Sequence, residues 1–261
     1  MGGAALAEKK PPPIPAVVLH IAAVQRTGAS AGTRRYRTQK IRPIRGDHIS
    51  LGKLIHKAKL GLFHWSPTFA ARCGITFKLE APNRSFLERE IFDHLNQLAT
   101  ASPGRKACLF IGMHYYTWHY PRMLKMDFHS LDLDPAQAIY GPPGRHTIGS
   151  ATDMSGFYGD ESFDVVVANG VIGWGLNEQA GFEQMMAQCH RVLKPGGLLI
   201  LGYNDTPERA PYPVDIGHAG LFAPVVPAIP GVRHARHPMH DGYAHVFLFG
   251  EKRMESNVAV A

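Results

Sequence analysis

Asp132 is the residue whose type and position most directly invite chemistry. It stands near the end of a strand-like run, residues 128–133, and is followed by Leu133-Asp134-Pro135. A carboxylate at a strand end is a two-oxygen acceptor, suited to the paired hydroxyls of a ribose. Asp134, two residues on, is a second acid at the same strand end. Gly112 follows a shorter apolar run, residues 108–111, and a glycine there lets backbone approach a ligand closely. A third run, residues 163–168, leads into Asn169-Gly170-Val171, and a fourth, residues 198–203, ends at Tyr203-Asn204-Asp205. In open α/β sheets ligands bind at the carboxyl ends of the strands, at the switch point. These strand ends together describe a nucleoside site.

The elements that must hold them are legible as continuous apolar strands separated by helices, the pattern of a parallel sheet covered on both faces. A weaker strand covers residues 146–148. Between the third and fourth runs, residues 177–193 form a helix with Phe182, Met185, Met186, Cys189 and Val192 on one face. Ahead of the first strand, residues 85–98 read as a helix. Ser85 and Glu88 form a capping box, and Phe86, Leu87, Ile91, Leu95 and Leu98 form its buried stripe. Residues 243–249 alternate aromatic and small side chains, as an antiparallel edge strand does. The fold class expected is α/β: a Rossmann-like, doubly wound, mostly parallel sheet of about seven strands, with helices on both faces and an antiparallel C-terminal strand. The domain spans 85–253, behind a helical lid or cap segment at 48–84 and a basic arm at 1–47, with a tail at 254–261.

Two motifs carry a family resemblance. His190-Arg191-Val192-Leu193-Lys194-Pro195-Gly196-Gly197 leads into Leu198-Leu199-Ile200-Leu201, and Glu161-Ser162-Phe163-Asp164 leads into Val165-Val166-Val167-Ala168-Asn169. With Asp132-Leu133-Asp134-Pro135 they resemble the class I S-adenosylmethionine (SAM)-dependent methyltransferase superfamily, over about residues 85–204. The resemblance implies SAM as cofactor and contacts to it from four loops. The first would supply Gly112, Met113, His114, Tyr116 and Thr117; the second, Asp132 and Leu133. The third would supply Ser150, Ala151, Thr152 and Asp153, with Ser150 in the place of the family's usual acid and Asp153 able to substitute. The fourth would supply Asn169, Gly170, Val171 and Trp174, the last as an apolar or cation–π wall near the sulfonium. The first loop departs from the family's acidic-x-Gly-x-Gly-x-Gly pattern. Phe110 replaces the acid, and His114 and Tyr116 stand where the second and third glycines would be. Two consequences stay open: the aromatic residues contact the cofactor through backbone and hydroxyl groups, or SAM is bound weakly or not at all.

Transfer from a sulfonium is an in-line displacement in which proximity and alignment carry most of the catalysis. A base is needed only when the nucleophile must lose a proton. His119 is the candidate for that proton, and Tyr203 the candidate facing substrate. Asn169-Gly170-Val171-Ile172 is not the Asn-Pro-Pro-Tyr sequence of exocyclic-amine methyltransferases, which disfavours DNA or protein-glutamine as substrate. The resemblance and the proline-rich insertion at 206–238 point to a small organic acceptor methylated on oxygen or nitrogen, as in secondary-metabolite enzymes.

Charge is distributed unevenly. Residues 1–60 hold twelve Lys and Arg against Glu8 and Asp47, although the whole chain is only +7. The arm could bind RNA phosphates, so an RNA methyltransferase is the first alternative; a non-catalytic methyltransferase-like scaffold, supported by the glycine-poor loop, is the second. An NAD-linked oxidoreductase is disfavoured because Gly112 has no GxGxxG partners. Cys73, Cys108 and Cys189 have no metal-ligand spacing, and His234, His237, His240 and His245 lie in a stretch broken by Pro238 and Gly242, so no metal is expected. The run Pro11-Pro12-Pro13 and the interrupting Pro15 weaken the likeness of the apolar stretch 14–24 to an export signal, and no apolar run is long enough to span a bilayer. A cytoplasmic location is expected, and the sequence does not give the oligomeric state.

Overall fold

In the computed structural model, residues 51–101 and 103–253 are described; the arm at 1–47 and the tail at 254–261 lie outside them. The sheet has the order β3-β2-β1-β4-β5-β8-β6, with β7 also paired to β8. Its strands are β1 (Ala107–Ile111), β2 (Asp127–Asp132), β3 (His146–Ile148), β4 (Phe163–Asn169), β5 (Leu193–Asn204), β6 (Phe222–Pro224), β7 (Arg236–Pro238) and β8 (His245–Lys252). The first five pair in parallel, and β8 runs antiparallel to β5.

Strand alternation sorts the core into two faces. Leu109, Ile111, Val166, Ala168, Leu199 and Leu201 pack on one side against Phe182, Met185, Met186, Cys189 and Val192 of α5 (Gln179–Val192). Each large α5 side chain so buried contributes about 1.5–3 kcal/mol. Cys108, Phe110, Val165, Val167, Ile200, Phe247 and Phe249 pack on the other side, against α1 (Leu51–Trp65), α2 (Pro67–Arg72) and the helical run that precedes β1. This is the doubly wound α/β architecture the alternation implies. It has eight strands where about seven were expected, because the insertion between β5 and β8 supplies both β6 and β7.

Three local readings are corrected. The helix before β1 starts at Pro82, not Ser85: α3 (Pro82–Phe86) has Ala81 at its N-cap position with no side-chain cap, passes through a π-helical turn (Leu87–Ile91) and continues as α4 (Phe92–Ala101). Proline at the first helical position, where its missing N–H costs nothing, outweighs the capping-box pattern, and Glu88 bonds His119 instead. Leu87, Ile91 and Leu95 are buried, but Leu98 is exposed. Second, β8 is not an edge strand: β5 flanks one side, while β7 and β6 cover the two ends of the other. Third, Pro195-Gly196-Gly197 is no separate turn. It is a bulge inside β5, where the pairing shifts from Phe163↔Leu193 to Val165↔Leu198. Among the described residues, no helix is long and apolar enough to cross a membrane.

Candidate functional site

The order β2-β1-β4 places the switch point between β1 and β4, and the carboxyl ends of these strands meet there. Gly112 leaves β1 with φ +94°, a conformation that suits glycine. Its N–H donates to the Leu131 carbonyl (2.9 Å), and a Cβ on it would stand 3.2 Å from Val171 Cγ1 in the loop after β4. Two loops therefore close on one point, and only a glycine lets them do so.

The rest of the first loop is a 3-10 turn, Tyr115–Thr117. The His114 N–H donates to Thr117 Oγ1 (2.9 Å), and that hydroxyl donates back to the His114 carbonyl (3.0 Å). Thr117 is buried and closes the loop; it does not present its hydroxyl to a ligand. His114 and Tyr116, in the place of the expected glycines, stack on each other with centroids 4.3 Å apart and 29° between planes. Burial, then the charge of Arg84, lowers the His114 pKa to about 4. Burial raises the Tyr116 phenol, against the pull of Arg84, whose guanidinium carbon lies 5.3 Å from the ring centroid. The segment ahead of the domain packs onto this loop: Phe63 and His64 of α1 contact the rings of Trp118 and Tyr115, and His64 Nδ1 is hydrogen-bonded to the Tyr140 hydroxyl.

Asp132 is positioned by the loops it serves. Its Oδ2 accepts the Met113 N–H (2.7 Å) and its Oδ1 the Asp134 N–H (2.8 Å). Burial raises its pKa, with those two bonds opposing. A carboxylate has about four acceptor positions, so one per oxygen remains for a diol. Leu133 beside it is 68% exposed, an apolar surface at the strand end. Asp134 is turned away and caps the 3-10 turn Pro135–Tyr140, accepting from the Ala136 N–H and Gln137 Nε2; these bonds lower its pKa. In the third loop the Ser150 and Thr152 hydroxyls bond each other (2.7 Å), and Ala151 packs on the core. Asp153 is exposed and accepts from Ser155 Oγ (3.1 Å). The Gly149 N–H donates to the Asp132 carbonyl (2.9 Å), so this loop borders the same strand end.

After β4, Asn169 is buried with both carboxamide atoms lacking a partner among the described residues. A Cβ on Gly202 of β5 would collide with that carboxamide, so Gly202 makes its room. Gly170 takes φ +80° and donates to the Gly202 carbonyl (2.8 Å). Trp174 is 65% exposed, and Arg209 lies 3.8 Å over its ring, so a protein cation already holds one face of the expected sulfonium wall.

Sequence reasoning missed Arg84, which it met only within a glycosylation-like Asn83-Arg84-Ser85. Arg84 is buried, and its Nη2 lies 3.6 Å from where a Cβ on Gly170 would be. The one available signal was Pro82, which sets the helix start and so turns Asn83 and Arg84 inward. His119 and Tyr203 are held by other partners. His119 Nε2 bonds Glu88 (3.1 Å); burial lowers its pKa while Glu88 opposes. Tyr203 belongs to the core on the α5 face, and its phenol is raised by burial and then by Asp205, against Arg236. Of the C-terminal histidines, His237 stacks on Phe86, and His245 Nδ1 bonds Asn204 Oδ1 (2.8 Å). No three His, Cys, Asp or Glu among the described residues are grouped to hold a metal. A cleft of about 310 Å³ lined by Asp205, Arg236, His240, Asp241 and His245 opens beside the strand ends.

Residues 114–201 match the family model described as "Methyltransferase domain". No curated protein sequence matches the chain. Among solved structures, the TehB-like SAM-dependent methyltransferase of Corynebacterium glutamicum is 18% identical, with TM-score 0.46, covering 66% of this chain and 93% of that one. The N-methyltransferase NodS of Bradyrhizobium japonicum is 16% identical, with TM-score 0.45, covering 64% and 97%. The 1,6-didemethyltoxoflavin-N1-methyltransferase of Burkholderia thailandensis is 15% identical, with TM-score 0.42, covering 67% and 92%.

Proposed function

We propose, for a chain that carries a methyltransferase domain of the class I SAM-dependent superfamily, that it transfers a methyl group from SAM to an oxygen or nitrogen of a small organic acceptor. SAM supplies an activated methyl group on a sulfonium. The residues present fit it. Asp132 has one free acceptor position on each oxygen for a ribose diol, and Gly112 lets the Met113 backbone cross the switch point. Leu133 offers an apolar surface for a base. Ser150, Ala151 and Thr152 border the same strand end. The aromatic first loop does not oppose this: His114 and Tyr116 spend their ring faces on each other, which favours the first of the two open consequences over weak or absent binding.

The observation that carries the reading is the Asp132 carboxylate, fixed by two backbone N–H groups from two loops. Residues 48–84 are read as a cap on the first loop, and residues 85–253 as the transferase domain. Alignment does most of the chemical work; His119 is hydrogen-bonded to Glu88, and Tyr203 lies in the core on the α5 face. A cytoplasmic location follows from where SAM is made. The basic arm keeps RNA as the second reading, since its charge suits phosphates.

The test is calorimetric titration of the full chain with SAM and S-adenosylhomocysteine (SAH), followed by transfer from methyl-labelled SAM to a panel of small hydroxy and amino compounds and to total RNA. Micromolar SAH binding with label in small products is expected. A folded protein that binds neither nucleoside overturns the reading and leaves the scaffold. Label in RNA, lost on deleting residues 1–45, replaces the small acceptor with RNA.

A further inference from the structure

Beside the carboxyl ends of β4, β5 and the start of β8, four side chains are more than nine-tenths buried yet hold polar atoms without partners. They are Asn83 (9% exposed), Arg84 (9%), Asn169 (4%) and His245 (3%), through Oδ1, Nη1, both carboxamide atoms and Nε2 respectively. Buried polar groups are nearly always hydrogen-bonded, and a buried cation is normally paired. Arg84 is not: among the described residues no carboxylate lies within ion-pair distance of it. Glu88, the nearest acid along its own helical run, is engaged by His119.

The groups facing Arg84 do not neutralise it. His114 in the first loop and His245 on β8 are both held to about 4 by burial first and Arg84 second, so both are neutral at pH 7. Burial raises the phenols of Tyr116 and Tyr120, so they stay protonated. One positive charge is left uncompensated between the first loop and the loop after β4. The shell around it is mixed. Arg84 and the Asn169 amide donate. Asn169 Oδ1 and His245 Nε2 accept; the last does so because Nδ1–H is spent on Asn204 Oδ1.

We propose that Arg84 is the seat of a ligand carboxylate at the transfer site, inside a shell that also accepts a hydrogen bond from an N–H or O–H on the same ligand. A planar guanidinium matches a carboxylate through two parallel hydrogen bonds. Two ligands bring that chemistry: the amino-acid end of SAM, or an acceptor that is itself a hydroxy or amino acid. The seat's place at the transfer site rests on the SAM reading; its charge and orphaned atoms do not.

Three titrations of the full chain and of Arg84→Met test it. The nucleosides are SAH and 5′-methylthioadenosine, which lacks the amino-acid end; the third probe is carbon-13 acetate followed by NMR, with and without SAH. If the seat holds the cofactor, Arg84→Met weakens SAH at least tenfold and leaves methylthioadenosine unchanged. If it holds the acceptor, both nucleosides are unaffected, and acetate binds SAH-loaded wild type but not the variant. Either result supports the seat. It is overturned if the variant alters neither SAH nor acetate binding, or if it weakens both nucleosides equally. Wild type that binds no nucleoside refutes the SAM reading, and Arg84-dependent acetate binding to the free protein still reads the seat. Arg84→Lys, with charge but no fork, recovers only part of the affinity. The Met variant melts no lower than wild type, since it removes an unpaired buried charge.

Discussion

Replacing Asp132 with alanine separates ligand binding from folding in a way the structure makes quantitative. Its carboxylate has about four acceptor positions; Met113 and Asp134 occupy one on each oxygen. The two that remain face the strand end and can take both hydroxyls of a ribose. Hydrogen bonds to a charged acceptor contribute about 1.5–3 kcal/mol each. Two at the lower value give about 3 kcal/mol, a loss of roughly 100-fold in Kd. Folding suffers less. The Met113 and Asp134 N–H groups lose their acceptor, but the site is only half buried and water can replace it, so the pair costs about 1–2 kcal/mol. Burial also raises the Asp132 pKa, so the native state already pays to keep it ionised. The assay is SAH calorimetry beside thermal unfolding of both proteins. We expect a cooperative melt a few degrees lower and SAH binding weakened by about two orders of magnitude. A folded variant whose SAH affinity stays within about threefold of wild type, under 1 kcal/mol, refutes the assignment of the β2 acid.

Gly202→Ala drives a Cβ into the Asn169 carboxamide and to 2.9 Å from the Phe247 ring; a urea titration should show about 1–3 kcal/mol lost, as for overpacked cores, and an unchanged midpoint argues that Asn169 is not held there. His114 and His245 titrate near 4 in the folded protein, against 6.5 in the unfolded chain. The unfolded state binds more protons between those values, so stability is full above pH 6.5 and falls as pH drops toward 4. The slope is at most about 1.4 kcal/mol per pH unit for each histidine, less where water screens it; urea midpoints at pH 7, 6 and 5 read it, and His245→Asn should flatten it. Ellman's reagent should label Cys73 alone in the native protein, because Cys108 and Cys189 are buried with thiols raised to about 12. Fast labelling of a second thiol without denaturant contradicts the two-faced core.

What the sequence determined by itself was whatever depends on local pattern. Continuous apolar runs fixed β1 and β4, because strands buried on both faces need no alternation. The stripe Phe182, Met185, Met186, Cys189 and Val192 fixed α5, and the place of Asp132 at the end of β2 was legible from the run it closes. Pattern also misled where two local signals competed: the capping box at Ser85 lost to Pro82, and the aromatic alternation that marks β8 says nothing about which strands will cover its edge. Only the tertiary structure decided what the first loop does, since whether His114 and Tyr116 fill a site or stack on one another depends on Arg84, thirty residues earlier, and on α1 packed above them. It also decided that Arg84 is buried with no carboxylate in ion-pair reach among the described residues. Arg84 faces inward because a helix start, a π-helical turn and the loop after β4 converge on it, and no single one of these segments encodes that convergence.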